Sequence, residues 1–486
     1  MTAENCEGDR VRDLAPLLAL DARNFAHAEN AVLQLGQAKK CASNPLFRED
    51  FFADPPKPWE ARLDNVYPSV IYDEDEGLFK CWYKSFIVDE ASVETPLAQR
   101  PQTRYTGGKR EEGLLYATSN DGVHWQKPTL GLIEFGRSRA NNIVMRRATH
   151  GIHAGGVLKD PRDPDPARRY KFIHRNPRAG RMATCFSADG LRWSQPALWT
   201  RHDAVGDTHN NAIWSPELGR YVGITRGWSG GPYRGFRTVL RSESEDFLHW
   251  AEPVEIMRGA DAHDQIYSMP IVQYAGLTIG LPAIFHKGDE KAADWDRVDT
   301  ELAWSADSVN WRRICPGQAL IPRGEGSYPD GAYDCGCIYA AAPIVRGERV
   351  LIYYGGSNGL HNNWRESSLN LATLDLDRFA GFAPRDHRQR ALVRTAPLRL
   401  EAEFITVNAE IAAGGGIRAA LLDGAGSGLP GYSLEDSLPL KKSGISCELR
   451  WKNPPQACQP GQTLQLLFVL DNARLYAIKG ASRLSD

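Results

Sequence analysis

The sequence predicts an all-β protein, a five-bladed β-propeller followed by a C-terminal antiparallel β-sandwich. Three observations carry the prediction. The chain is rich in turn formers and aromatics, with 45 Gly, 30 Pro, 13 Trp and 17 Tyr against 5 Met, which suits many short strands joined by tight turns. A pattern Ser-x-Asp-x-x-x-Trp recurs four times at intervals of about 60 residues, the length of a four-stranded blade with long loops. Each copy follows further short apolar runs, and after about residue 390 this repeat gives way to plain alternating strands.

The elements follow in order. Residues 1–60 form an N-terminal extension, with a short helix expected over 14–20 and a strand AVLQLG (31–36) expected to close the ring. The propeller spans 61–390. Its first unit pairs VYPSVIY (66–72) with LFKCWYK (78–84), its second HAGGVLK (153–159) with RYKFIHR (169–175), and its third NNAIWS (210–215) with RYVGITR (220–226). The fourth pairs IYSMPIVQY (266–274) with LTIGLPAIF (277–285), and the fifth has CGCIYAAAPIV (335–345), RVLIYYGG (349–356) and SLNLATLDL (368–376). The fifth unit lacks the Ser/Asp/Trp turn, so a strand from the extension would complete it and remove the exposed edge.

In the four turns (Ser119/Asp121/Trp125, Ser187/Asp189/Trp193, Ser244/Asp246/Trp250, Ser305/Asp307/Trp311) the Ser and Asp oxygens accept from backbone amides, and the Trp packs between blades. Residues 391–486 read as the sandwich, with strands EFITVNAEI, GIRAALLD, GISCELRW, TLQLLFVL and ARLYAIKG between turns LLDGAGSGLPGYS and KNPPQACQPGQ.

Composition excludes several functions. The 486 residues carry a formal charge of -2, so no basic excess recruits nucleic acid or an anionic membrane. No apolar run approaches the roughly 20 residues of a membrane helix. The acidic start MTAENCEGDRVRD does not read as a secretory leader, which predicts a cytoplasmic protein. Nine irregularly spaced Cys do not form a disulfide framework; Cys335 and Cys337 read as buried thiols on one strand face. The glycine-rich GWSGGPYRGF (227–236) matches neither a phosphate loop nor a dinucleotide fingerprint.

In a propeller the innermost strands line a channel, and ligands bind at one end of it. An acid precedes four of the five innermost strands: Asp64, Asp207, Asp264 and Asp334, with His150 to His153 in the second unit's slot. Acids converging on one axis raise each other's pKa, and a mixture of ionised and protonated carboxyls is what glycoside hydrolysis uses. These four are the candidate catalytic residues. Asn65, His153, His209, Asn210, Arg226, Tyr267 and His361 are the candidate sugar-binding groups, with Thr208, Asn211, His263, Gln265, Lys84, Arg175 and Asn362–Trp364 as neighbours. Asp160 sits in Lys159-Asp160-Pro161, which resembles an Arg-Asp-Pro element of sugar-cleaving propellers. It also aligns with Asp73 at the turn leaving the innermost strand, which makes it a turn residue.

Five repeats, acids on the inner strands and the C-terminal sandwich resemble the five-bladed glycoside hydrolases. Closest in architecture is glycoside hydrolase family 32, the β-fructofuranosidases, with the related arabinanase and xylosidase propellers. YATSNDGVHWQKPTLGLIEF, with NNIV soon after, is similar to a bacterial family-32-like branch. The resemblance implies that Asp64, in the first blade, is nucleophile or base. It places an Asp in the second blade, matched only by Asp160, and a Glu in the third, where this chain has Asp207. The first-blade Asn-Asp-Pro-Asn motif is replaced by Leu63-Asp64-Asn65. The expectation is hydrolysis of a furanoside or related glycoside with Asp207 or Asp264 as general acid, Asp334 as a tuning or binding group and no cofactor beyond a structural divalent cation in the channel. The alternatives are a sialidase-like hydrolase and a non-catalytic carbohydrate-binding propeller. No arginine triad and no basic cluster for phosphate stand out in the sequence, which disfavours a sialidase or a phosphorylase.

Overall fold

The computed structural model describes residues 14–484 apart from 203, 453 and 455–457. The chain is all-β, with a propeller-like arrangement of four four-stranded antiparallel sheets and additional larger sheets. The first sheet runs Ser69–Asp73, Leu78–Asp89, Arg110–Ser119 and Ile143–Arg146 from the channel outward. The second runs His153–Lys159, Tyr170–Asn176, Arg181–Ser187 and Ala197–Leu198. The third runs Asn211–Ser215, Arg220–Trp228, Arg237–Ser244 and Val254–Arg258. Innermost strands of successive units lie against one another, and Ile344–Arg346 lies against Ser69–Asp73. At one end of the channel a cavity of about 460 Å³ is walled by Val70, Gly156, Asn211, Ile271 and Ile344 from five successive segments.

The fourth unit departs from the expected continuous strands. Its first strand is broken into Gln265–Ser268 and Ile271–Tyr274 around Pro270, and its second into Leu277–Gly280 and Ala283–Phe285 around Pro282. Proline has no N–H for the ladder. The backbone compensates locally, with Leu281 N donating to Pro270 O (3.0 Å) and Glu301 N to Pro282 O (2.9 Å). The outer halves form the fourth four-stranded sheet with Leu302–Ser305 and Trp311–Ile314. The inner halves join, through a single parallel pairing of Val298 with Cys337, a nine-stranded sheet that contains Cys337–Ala340, Arg349–Ser357 and Ser367–Asp375.

All four Ser/Asp/Trp turns close on the Asp as the sequence predicts, and Ser119, Ser187 and Ser305 accept from amides, whereas Ser244 Oγ donates to Asp246 instead. In the first, Asp121 Oδ1 accepts from the amides of Val123 and His124 at 2.8 Å, Ser119 Oγ accepts from Gly122 N, and Trp125 Nε1 donates to Gly122 O. The position after the Asp is left-handed in every copy: Gly122, Gly190, Phe247 and Ser308 have φ between 59° and 79°. Glycine stands there where a neighbour approaches closely. Trp82 Nε1 donates to Gly190 O at 2.7 Å, and a Cβ on Gly190 would come within 2.6 Å of that indole.

A second repeated link joins adjacent units. Asp73 accepts from Lys80 (2.8 Å) and from Tyr170 of the next unit (2.6 Å). Asp160 binds Lys171 (3.2 Å) and Tyr221 of the next unit in the same way. Asp160 is thus a buried tie between units at the turn leaving its strand.

The extension differs from expectation. Leu17–Leu18 forms a strand, not a helix, paired with Ala477 and Ile478, and this pairing places Leu18 and Leu20 in the apolar core. Ala31–Leu35 pairs with Ala380–Pro384 rather than with the propeller units. Lys39–Lys40 and Phe47–Arg48 take the edge of Ser367–Asp375 instead.

Six strands beyond residue 390 join four earlier ones (Leu17–Leu18, Phe25–Glu29, Ala31–Leu35 and Ala380–Pro384) in a ten-stranded antiparallel sheet with its own apolar core, including Val393, Ile417, Leu466, Phe468 and Leu470. Two pairs of expected strands are single long ones, Thr406–Asp423 and Thr463–Lys479, bent at register shifts between 408 and 416. The KNPPQACQPGQ turn lies partly outside the described residues. Among the described residues no helix is long and apolar enough to cross a membrane.

Candidate functional site

At the other end of the channel, where the innermost strands start, a polar cavity of about 480 Å³ opens. Asp64, Asn65, His153, Asp207, Tyr267 and His361, all expected from sequence, line it. So do Arg62, Lys84, Arg110, Glu112, Arg147 and Arg365.

The carboxylates and cations form one chain across the cavity. Asp64 meets Arg365 at 2.5 Å, Lys84 at 3.5 Å and Arg62 at 3.6 Å. Lys84 reaches Glu112 at 3.4 Å. Glu112 bonds His153 Nδ1 at 2.7 Å, and His153 Nε2 bonds Asp207 at 2.7 Å. Asp207 ends the chain on Arg175 (3.2 Å) and Arg226 (3.9 Å).

This pairing decides the charge states. Burial pushes the Asp64 carboxyl up, but Arg365, Lys84 and Arg62 outweigh it and hold the group well below the ordinary range. Burial also raises Asp207, and the His153 hydrogen bond with Arg226 and Arg175 overcomes it, so the pKa falls. Glu112 drops to about 2, with burial outweighed by His153 and Lys84. The mutual repulsion of converging acids expected from the sequence is absent, because each acid has a cation between it and the next. The proton is carried by His153 instead. Burial disfavours its charge, but Glu112 and Asp207 on its two ring nitrogens win and raise its pKa.

Folding raises the His153 pKa above its ordinary 6.5. Its stabilising contribution is therefore complete below pH 6.5 and is lost as the pH climbs through the folded value. The three lowered carboxylates contribute above their ordinary pKa values and lose that contribution only as the pH falls through the folded ones. In an NMR titration the His153 ring is expected to titrate above 6.5, while burial holds His209 down at about 4. A His153 midpoint at or below 6.5 would refute the bridged imidazolium.

The backbone that carries Asp64 is strained. Asp64, Val66 and Tyr67 have φ of 54°, 61° and 43°, and Ala154, next to His153, has 35°. A β-branched residue at positive φ is a genuine outlier, and such strain persists only where surroundings over-determine it. Here Val66 N donates to Leu63 O (2.9 Å), Val66 O accepts from Lys84 N (2.7 Å), and Gly355 lets the turn close onto its own strand.

The floor is aromatic. Tyr67 stacks on His209 with centroids 5.2 Å apart, and Tyr267 packs on Tyr339 and on His361. Tyr339 Oη bonds His361 Nδ1 at 2.8 Å. Burial and the neighbouring Arg365 drive His361 well below its ordinary pKa, so its ring is neutral. The wall comes from the first unit's insertion, where Tyr105 N donates to Asn363 Oδ1 (3.1 Å) and the Arg62 guanidinium lies 3.9 Å over the Tyr105 ring.

Several candidates stand elsewhere. Asp264 is locked to Arg313 by two contacts, 2.6 and 3.2 Å, away from the cavity lining. Asp334 is fully buried between Lys40 (2.6 Å) and Tyr354 (2.9 Å), where it ties the edge strand Lys39–Lys40 to Arg349–Ser357. The register that sets an acid before each innermost strand therefore delivers two of the four acids to the site. His209, Asn210 and Arg226 lie buried beneath the lining. Asn210 donates to Ala154 O and Gly206 O, and Arg226 grips Tyr267 O. They position the floor rather than face the cavity.

Basic residues scattered in the sequence gather here. Glu112 carries no sequence signal of its own, since it lies on a third strand, in REEGLL. Arg365 stands one residue past His361–Trp364, and its partner Asp64 is 301 residues away.

No family model matches the chain, and no curated protein does. Solved structures align with most of the chain at low identity, with TM-scores below 0.5. A glycosyl hydrolase from Bacteroides ovatus is 14% identical, with a TM-score of 0.48, over 73% of this chain and 98% of its own. An N-acetylgalactosamine deacetylase from F. plautii, in complex with blood group B trisaccharide, is 14% identical, with a TM-score of 0.45, over 71% and 96%. A structure from the GH130 family of mannoside phosphorylases, which contains glycoside hydrolases that target β-1,2 mannosidic linkages, is 14% identical, with a TM-score of 0.46, over 70% and 94%.

Proposed function

We propose that the protein is a glycoside hydrolase acting from a five-bladed propeller over residues 61–390. Lys39–Lys40 and Phe47–Arg48 complete its fifth blade, and residues 391–486 form an appended sandwich. The observation that carries the reading is one cavity holding an ionised carboxylate on a strained turn, Asp64, together with a proton-carrying pair, His153 and Asp207. Asp64 acts as nucleophile or base. Both ring nitrogens of His153 are taken up, by Glu112 and Asp207, so Asp207 is the general acid: it takes the Nε2 proton of the imidazolium and passes it to the leaving oxygen. Glu112 holds the imidazolium in place. Asn65, Tyr267 and His361 present amide, phenol and imidazole to the sugar, over aromatic faces. The family-32-like assignment and a furanoside substrate rest on the place of Asp64 in the first unit.

A second reading is favoured by one observation: Arg62, Lys84, Arg110, Arg147 and Arg365 outnumber the three acids of the lining. A cation excess suits a sugar bearing an anionic group, or phosphate in place of water as the acceptor. A glycan panel assayed with and without inorganic phosphate separates these. Release of free sugar in phosphate-free buffer supports hydrolysis. Strict dependence on phosphate with a sugar phosphate as product supports phosphorolysis. Binding without turnover on every glycan, with or without phosphate, supports a carbohydrate-binding propeller.

A further inference from the structure

A second constellation stands on the fourth unit, outside the cavity lining. His263 lies in the turn before Gln265–Ser268, and His286 directly follows Ala283–Phe285. Both rings face Asp294 in the next loop. His263 Nε2 is 3.0 Å from Asp294 Oδ1, and His286 Nδ1 is 3.5 Å from Asp294 Oδ2. One ligand atom from each residue lies within 4.8 Å of the other two. Ligands about 2.0–2.1 Å from a tetrahedral ion stand about 3.4 Å apart; the two His–Asp contacts, through separate oxygens of Asp294, bracket that distance, and the three ligand atoms need close only from within 4.8 Å.

The surroundings fit the same purpose. His286 Nε2 bonds Asp299 at 2.8 Å, and Arg323 holds Asp299 in turn at 2.6 Å. A carboxylate behind an imidazole fixes its tautomer, frees the other nitrogen as a ligand and raises its basicity. Asp261 accepts from His263 N at 2.7 Å and sets the turn. The side chains of His263, His286 and Asp294 remain 28%, 16% and 37% exposed, which leaves the fourth position to solvent.

We propose that His263, His286 and Asp294 form a site for a divalent transition-metal cation of the Zn²⁺ class, separate from the carbohydrate cavity. Two imidazoles and one carboxylate are a borderline donor set that favours such ions over Mg²⁺ or Ca²⁺. The Asp289 amide now points at His263 Nδ1 from 3.3 Å. Binding through Nε2 moves the ring proton to Nδ1 and opens that long contact. The ion would also pin the loop that carries Asp296, whose carboxylate accepts from Asn362 N (2.8 Å) and Asn362 Nδ2 (2.6 Å) at the cavity rim.

The test is calorimetric titration of the full chain with Zn²⁺, beside the visible absorption of its Co²⁺ complex. The expected result is one ion per chain, a Co²⁺ spectrum of low coordination number, and loss of both in a His263→Ala/His286→Ala double variant. Asp299→Asn, behind His286, is expected to weaken binding about 10–100-fold without abolishing it. The single variant His263→Gln, in a half-exposed turn, serves if the double variant does not fold. No binding by the unaltered chain, or affinity and stoichiometry unchanged in the folded variant, would overturn the site. Neither measurement depends on turnover of any sugar.

Discussion

Asp64→Asn is expected to lower turnover about 10²–10⁴-fold, the contribution of a positioned acid–base group, while the protein stays folded. The exchange keeps shape and removes charge. The carboxylate is the point on which Arg365, Lys84 and Arg62 converge, so it enters any reaction fully ionised, as a nucleophile or base should. Those cations keep other partners when it is neutralised. Arg365 still donates to Asn65 Oδ1 (2.7 Å) and His361 O (2.5 Å), Arg62 to Asn363 O (3.0 Å), and Lys84 faces Glu112. Turnover of a substrate found in the glycan panel, beside a thermal melt, checks both halves. A folded variant with undiminished turnover removes Asp64 from the chemistry. The same exchange at Asp264 is expected to spare turnover, since its partner is Arg313.

Gly355→Ala is expected to damage the site from a residue that touches no substrate. A Cβ there would stand 2.3 Å from Asn65 O and 2.9 Å from Val66 Cβ, closer than real Cβ atoms come to backbone. Overpacking of this kind costs about 1–3 kcal/mol. It also pushes on a turn that is already strained, at Asp64, Val66 and Tyr67. Stability and turnover should therefore fall together. A drop in melting temperature with full activity would mean that the turn tolerates displacement and that its strain has no part in the chemistry.

The repeating parts of the fold were legible because each is local. Ser119, Asp121 and Trp125 close their turn within seven residues, and the three other copies do the same. Innermost strands such as His153–Lys159 declared themselves by their apolar runs. Pairings across the chain were not legible. AVLQLG and the Lys39–Lys40 segment are both short and edge-like, and only tertiary partners decide which one joins Ser367–Asp375. The site divided in the same way. Asp64, His153 and Asp207 stand at strand starts, where periodicity points. Glu112 and Arg365 join them only through folding, and without those partners the charge states of the acids could not be inferred. The four aligned acids suggested repulsion because the cations between them were invisible in one dimension.

The strands near the start of the described chain take their partners from its last third. Leu17–Leu18 joins Thr463–Lys479, Phe25–Glu29 joins Ala391–Thr395, and Lys39–Lys40 joins Ser367–Asp375. During synthesis these segments are made well before their partners and wait as unpaired edges until those partners follow. Non-local closure of this kind carries its loop entropy before it gains any contact, and it slows folding. An open edge in that interval is also the part of the molecule most prone to pair with another chain. The Lys40–Asp334 contact (2.6 Å) closes one of these long loops, so the slow part of folding is expected in the meeting of distant segments rather than in any single unit.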